Sequence, residues 1–232
     1  MRSCILLSVF LGCFAVGFRF HEQPAQEVLP VQQNEPNIGF EWAFGALVGK
    51  ERTMVPIMRD TVLKSGEEIK MMVKLTKDCY VYVVHQGSEG EIDLLFPYEI
   101  RQFLTDYSVE KNYYIPKGRH WSALDKNTGK EIFFLLASAE RLLDLEEKLG
   151  KYFSADELKK PPLAADIVSE IRSVRKHYST YATIAEKPLT IGGNIRGTDK
   201  MEGARRLDVA VLATEISAKN FFSKTITLDH QE

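Results

Sequence analysis

Asp78-Cys79-Tyr80-Val81-Tyr82-Val83-Val84-His85, followed by Gly87-Ser88-Glu89-Gly90 and Ile92-Asp93-Leu94-Leu95-Phe96-Pro97, is the stretch that decides the fold. Its first run is dense in β-branched and aromatic residues, the types that fit a pleated and packed surface. A short Gly-bearing link joins it to a second apolar run that Pro97 stops, so the stretch predicts a β-hairpin. Around it, all of Leu63 to Ser138 reads as buried strands separated by turns.

Upstream, Ile69, Met71, Val73 and Leu75 alternate with Lys70, Met72, Lys74 and Thr76, which predicts a half-buried strand. Lys64-Ser65-Gly66-Glu67 is the turn before it. Thr53 to Ile57 predicts a short edge strand, because Pro56 has no N–H to give to a ladder. Trp42, Phe44 and Ala46 alternate within Phe40 to Val48, and folded structure is expected to begin there. Downstream, Tyr113-Tyr114-Ile115-Pro116-Lys117-Gly118 closes a short extended piece, and Asp125-Lys126-Asn127-Thr128-Gly129 is a turn. Glu131-Ile132-Phe133-Phe134-Leu135-Leu136-Ala137 is apolar on both faces and predicts a central strand.

Past Ser138 the period changes. Leu142, Leu145, Leu149 and Tyr152 recur at helical steps. Ser154-Ala155-Asp156-Glu157 has capping-box spacing, and Pro161-Pro162 suits a helix start. Leu163, Ile167, Ile171, Val174, Tyr178 and Tyr181 continue the helical face, opposite a polar face of Glu170, Arg172, Arg175 and Lys176. The pattern predicts a helical hairpin that covers one face of a sheet. Strand signals return in Leu189-Thr190-Ile191 before Gly192-Gly193-Asn194, in the alternating Leu207 to Leu212, and in Phe221 to Leu228. The expected fold class is mainly β with a helical insertion: an antiparallel β-sandwich, immunoglobulin-like in architecture, plus a helical hairpin. Residues 40–232 form one domain in this reading, with a core at 42–138, the helical insertion at about 139–185 and closing strands over 186–232.

Composition narrows the class. The 232 residues are 44% hydrophobic and 27% charged, as in a soluble globular protein, and carry a formal net charge of −2. Lys and Arg are dispersed, so the basic patch that nucleic acid requires is missing and no nucleic-acid partner is expected. Met1-Arg2-Ser3 carries one positive charge, Cys4 to Gly17 is uncharged and largely apolar, and Ala15-Val16-Gly17 offers small residues for cleavage before Phe18. Residues 1–17 therefore read as a secretory signal peptide, short of the ~20 apolar residues needed to span a bilayer. No transmembrane segment is expected in the mature chain. Gly12-Cys13 offers a partial lipoprotein site as an alternative, with Cys13 acylated. Residues 18–39, polar and Pro-bearing, read as a flexible tether. Removal of the leader leaves Cys79 without a disulfide partner, packing as a small hydrophobe.

A search for chemistry finds no diagnostic spacing. His21, His85, His120, His177 and His230 are scattered, with no His-x-x-x-His or Cys-x-x-Cys pair. There is no Gly-x-Ser-x-Gly elbow, and Ile191-Gly192-Gly193-Asn194-Ile195-Arg196-Gly197 lacks the Lys-Ser/Thr ending of a phosphate loop. Glu89, Glu91 and Asp93 flank the hairpin without the spacing of an EF-hand. Tyr80, Tyr82, Tyr113, Tyr114 and Trp121 are candidates for a ligand groove, although aromatic residues in strands chiefly serve the core. Glu91 and Asp93 are the carboxylates an enzyme would use, which requires both in one cleft. Strand alternation is taken to send them to opposite faces. No catalytic, cofactor-binding or metal-binding residue is assigned, and no cofactor is expected.

One pattern is more specific. Leu63-Lys64-Ser65-Gly66-Glu67, Cys79-Tyr80-Val81-Tyr82-Val83, Gly90-Glu91-Ile92, Leu95-Phe96-Pro97, Tyr114-Ile115-Pro116 and Gly129-Lys130-Glu131 lead into Phe134-Leu135-Leu136-Ala137-Ser138. This order resembles a bacterial family, the domain of unknown function 4384, over Trp42 to about Ser138. Glu67 stands where that family usually has Asp, and Tyr98 stands where Asn is common. The resemblance implies an accessory β-sandwich domain of exported or envelope-associated proteins, also found attached to caspase-like and kinase domains. It brings no catalytic residues with it. The expected function is a non-catalytic binding or scaffolding module, exported to the periplasm or cell envelope and working with an envelope protein partner. The alternatives are an enzyme acting on envelope polymers and a small-molecule sensor with an aromatic groove between sheet and helices.

Overall fold

Ile38 is fully buried and opens the first strand, so the folded chain begins inside the stretch expected to be tether. The structure is a computed structural model that describes residues 37–178, 184–188 and 207–232. The expected leader, Cys13, His21, Tyr181, the Leu189-Thr190-Ile191 strand and the Gly-rich loop after it lie outside the described residues. In chain order the strands are β1 (Ile38–Val48), β2 (Thr53–Pro56), β3 (Thr61–Lys64), β4 (Glu68–Leu75), β5 (Tyr80–Gln86) and β6 (Ile92–Phe96). A short helix α1 (Gln102–Thr105) precedes β7 (Asn112–Ile115), β8 (Ser122–Ala123) and β9 (Gly129–Ser138). Helices α2 (Leu143–Phe153) and α3 (Lys160–Tyr178) follow, then β10 (Ile184–Pro188), a 3₁₀ turn (Val209–Leu212), β11 (Thr214–Ala218) and β12 (Phe221–Gln231).

Among the described residues these strands form two sheets. One runs β10-β11-β1-β4-β7, with β2 added to β1 and β8 to β4; the other runs β3-β12-β9-β5-β6. The predicted hairpin is β5–β6, the edge strand is β2, and the doubly apolar strand β9 lies centrally between β12 and β5. One pair departs from the expected antiparallel order: β3 runs parallel to β12. No hairpin links these sequence-distant strands, so nothing local forces them antiparallel.

The main core lies between the sheets. Phe40, Trp42, Phe44 and Ala46 of β1 and Met71, Val73 and Leu75 of β4 join Val81, Val83, Phe133, Leu135 and Ile226 of the facing sheet in one cluster. Alternation is the cause, since the inward set of each strand repeats every second residue. Burial of each large side chain contributes roughly 1.5–3 kcal/mol. A second cluster joins the other face of β5 and β9, with Tyr82, Val84, Phe134 and Leu136, to Leu145, Leu149, Ile167 and Ile171. The helical hairpin thus covers one sheet face, as its pattern predicted.

Four local expectations are corrected. Leu207 to Leu212 supplies a 3₁₀ turn rather than a strand, because the Asp208 carboxylate accepts the Ala210 N–H and starts a helical turn. That turn packs on β1 through Gly45, where an added Cβ would lie 2.7 Å from Leu212 Cδ1. The same cover buries Met72, and Lys70 is buried with its ammonium on the Gly118 and His120 carbonyls, so β4 is buried on both faces rather than half-buried. The Ser154 capping box does not form; the Ser154 hydroxyl donates back to the Gly150 carbonyl at 2.8 Å. Arg175 and Glu170 leave the expected polar face of α3: Arg175 donates to Thr225 of β12, and Glu170 pairs with Lys148 of α2.

Candidate functional site

At the hairpin end of the sandwich, three inward positions carry polar side chains. His85 on β5 lies opposite Asp93 on β6 and opposite Phe133 on β9, and Glu131 stands two residues before Phe133 on the same face. The pleat therefore brings all three ionisable groups to the inner surface of one sheet. His85 Nδ1 lies 3.3 Å from Asp93, and its Nε2 is hydrogen-bonded to Glu131. The imidazole also stacks on Phe133, with ring centroids 4.7 Å apart. Burial opposes charge on this ring, but the bonds to Asp93 and Glu131 outweigh it and raise its pKa from 6.5 to about 9. His85 is held as an imidazolium at neutral pH.

The facing sheet does not close over this group. Between Ile69, Met71 and Ile115 on one side and Leu95 and Phe133 on the other lies a cleft of about 560 Å³. Its rim carries Ser88, Glu89, Glu91, Asp125 and Asn127, and His230 lines it beside the end of β12. Five carboxylates line the cleft (Glu89, Glu91, Asp93, Asp125 and Glu131), with no Lys or Arg.

Glu91 and Asp93 share this cleft, which overturns the expectation that alternation parts them; residues two apart on a strand lie on one face. The aromatic groove does not exist as a unit. Tyr80 and Tyr82 pack on the helix-covered face, Tyr113 lies in the main core, and Tyr114 and Trp121 lie under the 3₁₀ turn. Of the other histidines, His120 offers its carbonyl to the buried Lys70 ammonium, and the exposed His177 packs edge-on against Tyr178. Cys79 is buried and its thiol is pushed up to about 11 by burial, so it is a poor nucleophile at neutral pH. Sequence reading missed Glu131, Asp125 and His230. A charged residue opening a strand otherwise apolar on both faces was the available signal for Glu131.

Gly129 holds the hairpin tip over the cleft. Its φ is +140°, and an added Cβ would lie 2.7 Å from Ser88 Cβ. Gly129→Ala is expected to lower stability by about 1–3 kcal/mol in urea unfolding. Adding Ser88→Gly should restore only the steric part of that loss; an unchanged midpoint in the single variant would show the tip to be loosely placed.

Among the described residues no three or more His, Cys, Asp or Glu side chains are grouped so as to hold a metal ion. Nor is any described helix long and apolar enough to cross a membrane.

Two packed sheets, a helical layer on one of them and a polar cleft at the hairpin end define a mainly β protein. Residues 62–141 match the model of the family described as Domain of unknown function (DUF4384). The matched segment runs from β3 to just past β9 and includes every cleft residue named above except His230. It begins later than the Trp42 start that the motifs suggested, leaving β1 outside. No curated protein matches the chain, and no solved structure does.

Proposed function

We propose that this chain is an exported, non-catalytic binding module of the bacterial cell envelope, and that the interlayer cleft is its binding site. The observation that carries the reading is the unfilled volume of about 560 Å³ between the inner faces of the sheets. Protein interiors pack to crystal density, and a space of this size falls in the range of ligand sites. Binding is favoured over catalysis by the state of His85. Both ring nitrogens are engaged by carboxylates, and a pKa of about 9 leaves no free lone pair to take a proton at neutral pH. Export rests on the leader pattern of residues 1–17 and placement in the envelope on the family resemblance.

Two measurements test this reading. Mass spectrometry of the protein recovered from cell fractions should find an N-terminus at Phe18 in the periplasm or envelope; an intact Met1 in the cytoplasm would refute export. NMR screening of the full chain against a mixed library of cations, anions, sugars and neutral compounds should shift the resonances of His85 and Phe133. A library that leaves both unmoved, or turnover of any member, would defeat the binding-module reading.

A further inference from the structure

We propose that the cleft takes an ammonium group on an apolar stem, its head on the acidic side lined by Glu91, Asp93 and Asp125 and its stem against Ile69, Leu95 and Leu124. This rests on the reading of the cleft as the binding site and adds the chemistry of what enters it.

Two independent properties of the cleft converge on this class. The first is its empty apolar depth. Ile69, Leu95 and Leu124 pack on the main core cluster but are only half-buried, and their open sides line the cleft. A bare ion would leave that surface wet, whereas an organic stem buries it and gains roughly 25 cal/mol per Å². The second is charge. The whole chain is nearly balanced, with 30 Lys and Arg against 32 Asp and Glu, so an acidic lining without Lys or Arg is a local excess. His85 offsets one of these charges, and its two N–H groups are already spent on Asp93 and Glu131. The remaining carboxylates accept hydrogen bonds but donate none, so the group they suit is a cationic donor.

Spread argues for an organic cation over a metal. The acidic groups border a volume of about 560 Å³, and no three of them are gathered as ligands among the described residues. A metal site draws its oxygens to about 2.0–2.6 Å from one point. An ammonium with a stem needs only hydrogen-bonding distance from its head and an apolar wall along its length.

Isothermal titration of the full chain at pH 7 tests this with three probes of one shape: phenethylamine, 2-phenylethanol and phenylacetate. Phenethylamine is expected to bind at least about tenfold more tightly than either partner, and to weaken as salt is raised. Glu91→Gln and Asp125→Asn, at exposed rim positions, should each lower its affinity about fivefold. Glu91→Gln should leave the melting temperature unchanged, and Asp125→Asn should shift it slightly because Asp125 also accepts two hydrogen bonds from Asn127. An acetyl-Ala-Lys-Ala-amide arm separates the two sources of such a group. Tighter binding of the peptide than of phenethylamine assigns it to a lysine side chain, and the reverse to a free amine. Equal or tighter binding of the alcohol or the acid overturns the ammonium while leaving the cleft a binding site. Failure of phenethylamine and the peptide alike also overturns the inference; the cleft itself falls only if the broader NMR screen is silent too.

Discussion

Stability measured by urea unfolding is expected to fall by about 3 kcal/mol as the pH rises from about 6.5 through about 9, and His85→Gln should remove that fall. Burial by itself would lower the pKa of the ring, but the hydrogen bonds it donates to Asp93 and Glu131 raise it to about 9, above the ordinary 6.5. The folded state therefore holds its proton where the unfolded chain has released it. The stabilisation is fully present below about 6.5 and is lost as pH climbs through 9, the reverse of a salt-bridged carboxylate. His85 and Glu131 are 17% and 12% exposed, so solvent screens that pair little, whereas Asp93 at 57% is screened and makes about 3 kcal/mol an upper value. An imidazole proton resonance that titrates near the ordinary value would refute the assignment.

A comparable effect is expected where the helical layer meets the sheet. Glu146 of α2 accepts from the Tyr82 hydroxyl at 2.7 Å and from Arg141 Nε at 3.1 Å, and its second oxygen pairs with Arg141 Nη2. The same Tyr82 oxygen accepts the Leu142 N–H at 3.0 Å. Glu146 is buried, so Arg141→Leu strands a charge away from water and should cost about 3 kcal/mol. The double variant Arg141→Leu/Glu146→Leu removes both charges and should recover at least half of that loss, because the stranded carboxylate is the penalty. Thermal unfolding of the three proteins reads this directly; a double variant less stable than the single one would mean that the pair stabilises by attraction rather than by avoiding an orphan. Tyr82→Phe should cost less, about 1–2 kcal/mol, since Arg141 still neutralises Glu146 and only the Leu142 N–H loses its acceptor.

The strands were legible because runs of β-branched and aromatic residues lie between turn signals, whether or not both faces are covered. The runs at Ile69–Leu75, Tyr80–His85 and Glu131–Ala137 fell into β4, β5 and β9 for that reason. The pattern failed at Leu207–Leu212, where Val209 is buried while Leu207 and Val211 are exposed, and a side-chain cap selects a helical turn. β11 went unread because Thr214-Glu215-Ile216-Ser217-Ala218 offers only one large apolar side chain. The cleft was partly legible. His85, Glu89, Glu91 and Asp93 lie within one hairpin, of which only the three carboxylates read as a group, but Glu131, Asp125 and His230 come from sequence-distant segments that only the paired sheet brings alongside.

The placement of β12 between β3 and β9 has a consequence for how the chain is made. Leu228 sits beside Thr61 and opposite Glu131, so one half of the sandwich cannot close until residues 221–231 have left the ribosome. Pairings this remote in sequence form slowly. Until then the nascent polypeptide keeps one edge of β9 unpaired, a template that only the last segment to emerge can cover.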